Sequence, residues 1–490
     1  MKLSEIINNE DQSFDVDICG ITADSRRVDA GFMFVALPGL NFNGADFIED
    51  AIASGATAIL CLPEAKLENN DVVWILDDFP GRIFPHYVSR FFNAQPENIA
   101  AVTGTNGKTS VAFFTQQIWK HLGIKSASVG TLGIQADGYQ KTTGLTTPDP
   151  VVIHKALSEL CDLGVDHVVF EASSHGLDQR RLDGVNISAA AFTNLTHDHL
   201  DYHKTEREYF NAKKRLFSEV LSPSKTAVLN IDSPLVMEVQ NICEAKGHKI
   251  ITVGHDDGDI RLLNQCTSST GQEITVSYRS KIYDISLPLV GHFQAINALM
   301  AVGLVIGCGG DADSAFKALS YLRPVRGRME QAGRHPTGGR VYVDYAHTPD
   351  ALDTVLHALK PHVRGKLSVV FGCGGDRDKT KRKIMGEIAK NLADRVYVTD
   401  DNPRSEKPSD IREEILTGCP EAVDAGNRAT AIQCAVSEME RGDILLVAGK
   451  GHEQGQTIGD DVFDFDDVSV VRSAIATLEQ AELENKRNTN

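Results

Sequence analysis

Residues 99 to 110 read IAAVTGTNGKTS. The apolar run Ile99 to Val102 predicts a buried strand, and the glycines after it, with Lys108 and Thr109 opening a helical run, predict a tight loop and a helix N-terminus. A loop of this kind turns backbone N–H groups and the positive end of a helix toward phosphates. Lys108 neutralises oxygen charge, and the Thr109 hydroxyl can meet Mg²⁺. ATP or GTP suits this chemistry. Val102 stands where the pattern G-x-x-x-x-G-K-[ST] has its first glycine, so a glycine-rich turn without nucleotide stays open as the plainer reading.

Outward from this loop, short apolar runs (HVVFEA at 167–172, AAFTN at 190–194) alternate with longer helical stretches such as VVIHKALSELCDLG, which predicts a mostly parallel sheet covered by helices. Upstream, NAQPEN at 93–98 breaks the helical pattern ending in FPHYVSRFF. Downstream, the Pro/Gly/Arg-rich LRPVRGRMEQAGRH at 322–335 precedes a second series of strand-like runs, RVYVDY, LSVVFG, RVYVTD and DILLVAG. The expected domains are therefore 1–95, 96–331 and 332–490, in keeping with 490 residues at roughly 150 per domain. The fold class is α/β, with a central P-loop parallel-sheet ATPase domain and a Rossmann-like C-terminal domain.

The charge sum, 49 basic against 67 acidic residues, is −18, and no basic block interrupts it. That balance speaks against nucleic acid and anionic membrane surfaces. Neither the opening MKLSEIINNE nor any later stretch has the apolar run of a signal peptide or a membrane span, so a soluble cytoplasmic protein is expected. The nine cysteines include no CxxC pair, which predicts thiols without a disulfide frame or structural zinc.

Other stretches carry chemistry less decisively. Glu171 ends the strand HVVFE at the edge where α/β sheets place ligands, and could hold Mg²⁺ or lie in solvent. Ser173, Ser174 and His175 suggest a nucleophile and base, yet neighbours on a turn rarely face each other. TNLTHDHLDYH gathers His197, Asp198, His199, Asp201 and His203, of which one or two could reach a metal. Lys213 and Lys214 read equally as a solvated helix face. Arg377 in GCGGDRDKTKR, and Arg404 after the rigid Pro403, could grip a carboxylate or merely belong to capped turns.

Taken in order, GTNGKTS, LTTPDP, EASSHGLDQ, TNLTHDHLDYH, YFNAKK, GRME, DYAHTPDAL, GCGGDRDK, DDNPRSE and GKGHE resemble the Mur ligases of peptidoglycan synthesis over about nine-tenths of the chain. The resemblance implies an ATP-dependent amide ligase joining meso-2,6-diaminopimelate to UDP-N-acetylmuramoyl-L-alanyl-D-glutamate, working as a monomer. It implies that Ala23, Ser25, Leu40, Asn41 and Phe42 lie at the UDP-sugar, and that Thr146, Thr147, Ser173, Gln179 and Arg181 bind the muramoyl-dipeptide. Gly104, Thr105, Asn106, Gly107, Lys108, Thr109 and Ser110 would cradle ATP, with Asn297, Arg328, Asp344 and His347 at the nucleotide. Thr109, Glu171 and His199 would hold Mg²⁺. Lys213 would be carbamylated by CO₂ and join the metal shell; Lys108, Lys213 and His199 form the catalytic set. Arg377, Asp401, Asn402, Pro403, Arg404, Gly449 and Glu453 would bind diaminopimelate. Two departures from the family pattern, Leu145 before the threonine pair and Arg326 before Gly327-Arg328, bear on fine substrate contacts.

The implied chemistry is activation of a poor electrophile. The D-glutamate γ-carboxylate attacks the ATP γ-phosphate, and the amine then displaces phosphate from the acyl phosphate. Substrates drawn from three domains imply closure of the C-terminal domain. A lysine-adding ligase would do better with a neutral or acidic group at Arg404. The competing readings of the motifs are a folylpolyglutamate synthase-like ligase, a non-hydrolysing ATP sensor and a P-loop kinase.

Overall fold

The computed structural model describes residues 1–9, 16–39, 42–196, 198, 200–268 and 271–488. Near the N-terminus, four short parallel strands lie in sequence order: Gly20–Thr22, Phe32–Val35, Ala58–Cys61 and Val73–Leu76. The helix Pro80–Phe92 buries Phe84 and Val88 against them and ends where Asn93 turns left-handed, at the break read from NAQPEN. Val151, at the start of the helix Pro150–Asp162, belongs to the same apolar cluster, so this first unit is docked on the second.

The strand Asn98–Thr103 lies inside an eleven-stranded sheet, between the parallel strands His167–Glu171 and Ile187–Phe192. Being covered on both faces, it is apolar from Ile99 to Val102, which is why IAAV reads as a run and not an alternation. The helices Lys108–His121 and Phe293–Gly307 pack together over one face through Val111, Phe114, Ile118, Ala298, Leu299 and Val302. The far edge is extended by the antiparallel meander Ile260–Thr267, Gln272–Tyr278 and Lys281–Leu287.

A six-stranded sheet forms the third unit: Glu330–Arg334, Arg340–Asp344, Ile444–Ala448, Leu367–Phe371, Arg395–Thr399 and Val423–Gly426, all parallel except the first. Its first strand starts at Glu330, paired with Val343, so the expected division at 331/332 falls inside a strand. Helices cover both faces, through Leu352, Leu356, Met385 and Ile411 on one and Ala431, Ile432, Val471 and Ile475 on the other. No helix among the described residues is long and apolar enough to cross a membrane.

Candidate active site

Gly107, at φ 88°, caps the helix Lys108–His121, and a Cβ there would lie 2.5 Å from Asn297 Oδ1. Glycine is required on both counts. Asn194, just past the neighbouring strand, fixes the loop: its carbonyl accepts from the Thr105 N–H at 2.9 Å and its Oδ1 from the Asn106 N–H at 2.8 Å. Lys108 folds back on the loop, its Nζ donating to Gly104 O at 2.9 Å and Thr105 O at 2.8 Å. Desolvation pulls this ammonium below its ordinary pKa, against the opposing pull of Glu171 and Asp198.

Glu171 is buried at the end of its strand. Its carboxylate accepts from the Thr109 hydroxyl at 2.8 Å, the Thr131 N–H at 2.8 Å and the Thr131 hydroxyl at 3.1 Å. Thr131 is a site residue that sequence reasoning misses, because a lone threonine after a strand carries no motif. Lys213, only 1% exposed on the helix Glu206–Arg215, donates from Nζ to the same Gly104 carbonyl at 2.8 Å. Burial, and then the Lys108 charge, push Lys213 well below the ordinary lysine pKa, while Asp198 pulls the other way. Lys214 points elsewhere, to Glu238 at 3.3 Å. His197 and His199 lie outside the described residues, as do Leu40 and Asn41.

The third unit reaches into the same cavity of about 400 Å³ through Arg328, Asp344, Tyr345, His347 and Asp350. Arg328 donates to Thr109 Oγ1 at 3.3 Å and lies over the Tyr345 ring at 4.4 Å. Asp344 is held by the N–H groups of Met329 at 2.7 Å and Ala346 at 2.8 Å, and burial raises its pKa. Burial lowers that of His347, whose Nδ1 meets Tyr345 O at 2.9 Å. Asp350, also missed from sequence, accepts from the Asn106 side chain at 3.0 Å and so ties the third unit to the loop.

A second, larger groove of about 1480 Å³ runs between the first and second units. Ala23, Phe42, Gln179 and Arg181 line it, whereas Thr146 and Ser173 line the first cavity. LTTPDP, 145–150, passes between the two, with Leu145 on the groove side. Asp149 accepts from the N–H groups of Val151 and Val152 at 3.0 and 3.1 Å, and Pro150 is the first helical residue, so the segment is held by a capped helix start. Arg181 donates to Thr147 O at 2.6 Å. Ser173 caps the helix Ser174–Asp178 through Gly176 N–H and accepts from the Thr147 hydroxyl, an arrangement that occupies its oxygen and disfavours a serine nucleophile. Ser25 starts the short helix that follows Asp24 and is half-buried.

The remaining expected positions gather at the carboxyl ends of the strands Arg395–Thr399 and Ile444–Ala448. Arg404, at φ 50°, donates to Gly375 O at 2.7 Å. Asn402 and Glu453 meet at 3.0 Å, and a Cβ on Gly449 would stand 2.8 Å from Asp401 Oδ2. Pro403 is buried; Arg377 is exposed on the adjoining loop. Lys450, fully buried between Asn402 and Glu453, has no sequence signal beyond its place within GKGHE. Linker and loop touch directly: a Cβ on Gly327 would fall 2.2 Å from the backbone N of His452.

Three family models match the chain: the Mur ligase catalytic domain over residues 17–102, the Mur ligase middle domain over 102–305 and the Mur ligase glutamate ligase domain over 327–451. The UDP-N-acetylmuramoyl-L-alanyl-D-glutamate--2,6-diaminopimelate ligase of Zymomonas mobilis is 49% identical over 94% of this chain and 95% of its own length. The enzyme of the same name from Caulobacter vibrioides is 47% identical over 97% and 98%. A solved structure of a UDP-N-acetylmuramoyl-L-alanyl-D-glutamate--2,6-diaminopimelate ligase superposes with a TM-score of 0.72 at 33% identity, covering 98% of this chain and 99% of that one. With relatives this similar along nearly its whole length, and a phosphate loop, buried carboxylate and buried lysine brought to one cavity, the chain belongs to the Mur ligase family.

Proposed function

We propose that this Mur ligase uses ATP to join meso-2,6-diaminopimelate to the D-glutamate γ-carboxylate of UDP-N-acetylmuramoyl-L-alanyl-D-glutamate, forming ADP, phosphate and the amide in cytoplasmic peptidoglycan precursor synthesis. The relatives' names support the substrate pair; the observation that carries the choice of amino acid is Arg404, which follows Asn402, the partner of Glu453, at the carboxyl ends of the third unit's strands. A distal carboxylate on the incoming amino acid complements that guanidinium, whereas the bare ammonium of lysine does not.

The UDP-sugar lies in the 1480 Å³ groove, along Ala23 and Phe42, with Ser25 in the turn behind Ala23 and Asp24, and its peptide follows LTTPDP toward Thr146 and Ser173. ATP enters the 400 Å³ cavity, where Thr105 to Ser110, Asn297, Arg328, Asp344 and His347 surround it, with Gly104 just behind the loop. Lys108 then exchanges its two loop carbonyls for phosphate oxygens as the carboxylate attacks the γ-phosphate. Thr109 and Glu171 form an oxygen pair of the hardness Mg²⁺ selects; when bound, that ion neutralises charge on the phosphate oxygens. His199 is proposed as a further ligand. The buried Lys213 is proposed to carry a carbamate: its neutral amine forms an N–C bond to CO₂, an electron pair moves to oxygen, and the nitrogen's proton leaves to solvent. A buried amine beside Lys108 is thereby exchanged for an anion. Diaminopimelate is held at its distal end by Glu453 and the Asp401–Arg404 run, while its other amine, neutral, displaces phosphate and then gives its proton to solvent.

One experiment tests the whole. Protein is incubated with ATP, Mg²⁺, the UDP-dipeptide and either diaminopimelate or lysine, and the product mass is followed. The expected result is an adduct with diaminopimelate only. Equal use of lysine sinks the role of Arg404, and ATP cleavage without any amide sinks the ligase assignment.

A further inference from the structure

Lys450 is a lysine with no solvent exposure in a loop where Asn402 and Glu453 are expected to meet the amino acid. An ammonium is buried at high cost unless it is paired and hydrogen-bonded. Its Nζ donates to Asn402 Oδ1 at 2.9 Å and to Glu453 Oε2 at 3.0 Å, and Asn402 Nδ2 donates to that same Oε2 at 3.0 Å. The three side chains close a ring. Asn402 Oδ1 also receives the Thr457 N–H at 3.0 Å, so two donors fix which way the amide faces. Both donors to Glu453 converge on Oε2. Its Oε1 receives no hydrogen bond among the described residues, and the Glu453 side chain is 33% exposed against 0% for Lys450. The ring thus has a closed inner side and one carboxylate oxygen turned outward.

We propose that Lys450 is a positioning residue for the amino-acid substrate: its ammonium locks Asn402 and Glu453 so that Glu453 presents Oε1 to the substrate's ammonium group. This inference rests on the assignment of diaminopimelate to this loop. Lys450 acts through Glu453 and touches no reacting atom. A compact ammonium with three donors suits the ring better than the planar fork of an arginine. An apolar side chain of similar length can fill the space while removing the charge, so Lys450→Met is expected to fold.

The test is steady-state kinetics of the full chain for wild type, Lys450→Met, Glu453→Gln and the double variant, with KM taken separately for ATP, the UDP-dipeptide and diaminopimelate. Loss of charge-assisted hydrogen bonds predicts a diaminopimelate KM raised about 10- to 100-fold in Lys450→Met. The other two KM values should stay within about twofold, and the double variant should be no worse than Glu453→Gln by more than about threefold, because partners acting as a unit are not additive. A parallel rise of all three KM values, or multiplicative effects in the double variant, overturns the proposal. A raised KM in Glu453→Gln with an unchanged one in Lys450→Met overturns the role of Lys450 alone. An unchanged diaminopimelate KM in Glu453→Gln overturns the placing of the amino acid at this loop, and the role of Lys450 with it.

Discussion

Lys108 and Lys213 donate to one carbonyl oxygen, that of Gly104, at 2.9 and 2.8 Å. Two ammonium groups so close repel each other, and desolvation pulls the pKa of each down. In the proposed mechanism their roles divide by what each can become: Lys108 would turn to phosphate, and Lys213 would become a carbamate. Lys108→Ala is expected to lower kcat at least about 100-fold, as for loss of a group stabilising transition-state charge, measured by phosphate release. Lys213→Ala should be weak and partly rescued by added short carboxylic acids; full activity without them would remove the carbamate role. Arg404→Ala should narrow the preference for diaminopimelate over lysine by about 10-fold or more, read as a ratio of kcat/KM values. The phosphate loop is legible as residues because its glycines and lysine are contiguous. The difference between Lys213 and Lys214 is not, since neighbours on a helix point about 100° apart and only packing shows which one is buried.

At the level of elements, the strand and loop around Gly107 tolerate little. Gly107→Ala combines a left-handed backbone, costing about 1–2 kcal/mol for a residue with a Cβ, with the contact against Asn297. It should weaken ATP binding about tenfold or more by titration calorimetry. The loops carrying Arg377 and Arg404 are tied by Glu406, which accepts from the buried Arg382 at 2.9 Å and from the Asp376 N–H at 2.7 Å, and which meets Lys379 at 2.9 Å. These partners, Arg382 first, pull the Glu406 pKa down to about 2 from 4.5. A depressed carboxylate stabilises the fold above its unfolded pKa and loses that contribution as pH falls through the folded value. The stability gap between wild type and Glu406→Gln, read from denaturant melts, should therefore be full above about pH 4.5 and shrink toward pH 2. The parallel strands are readable because burial on both faces makes them uniformly apolar. The meander Ile260–Thr267 to Lys281–Leu287 is not, because its exposed face mixes Arg261, Asn264 and Glu273 into a pattern without a clear period.

Across the whole molecule, the linker after Tyr321 is fastened at both ends. Arg323 exchanges two hydrogen bonds with the Gln117 side chain of the phosphate-loop helix, at 2.8 and 3.0 Å, and Arg326 pairs with Asp466 of the third unit at 2.5 Å. A rotation between the units is therefore expected to pivot between these anchors, around Pro324 and Val325. Nucleotide should change the small-angle scattering of the wild type, and Arg326→Ala should broaden the distribution of shapes before nucleotide is added; curves unaltered by nucleotide would count against a moving third unit. The division into units is visible in NAQPEN and LRPVRGRM, but the tie between phosphate loop and third unit through Asn106 and Asp350 joins residues 244 apart, beyond any local pattern.

Gly327 and Gly451 face each other so tightly that neither side has room for one added carbon. An engineer wishing to retrain this enzyme on a different amine has no freedom along that seam. Useful diversity belongs at the Arg404 side chain itself, since the glycines beneath it, Gly374 and Gly375, are as tightly enclosed as the seam, and changes there leave the packing of Gly327 on Gly451 untouched.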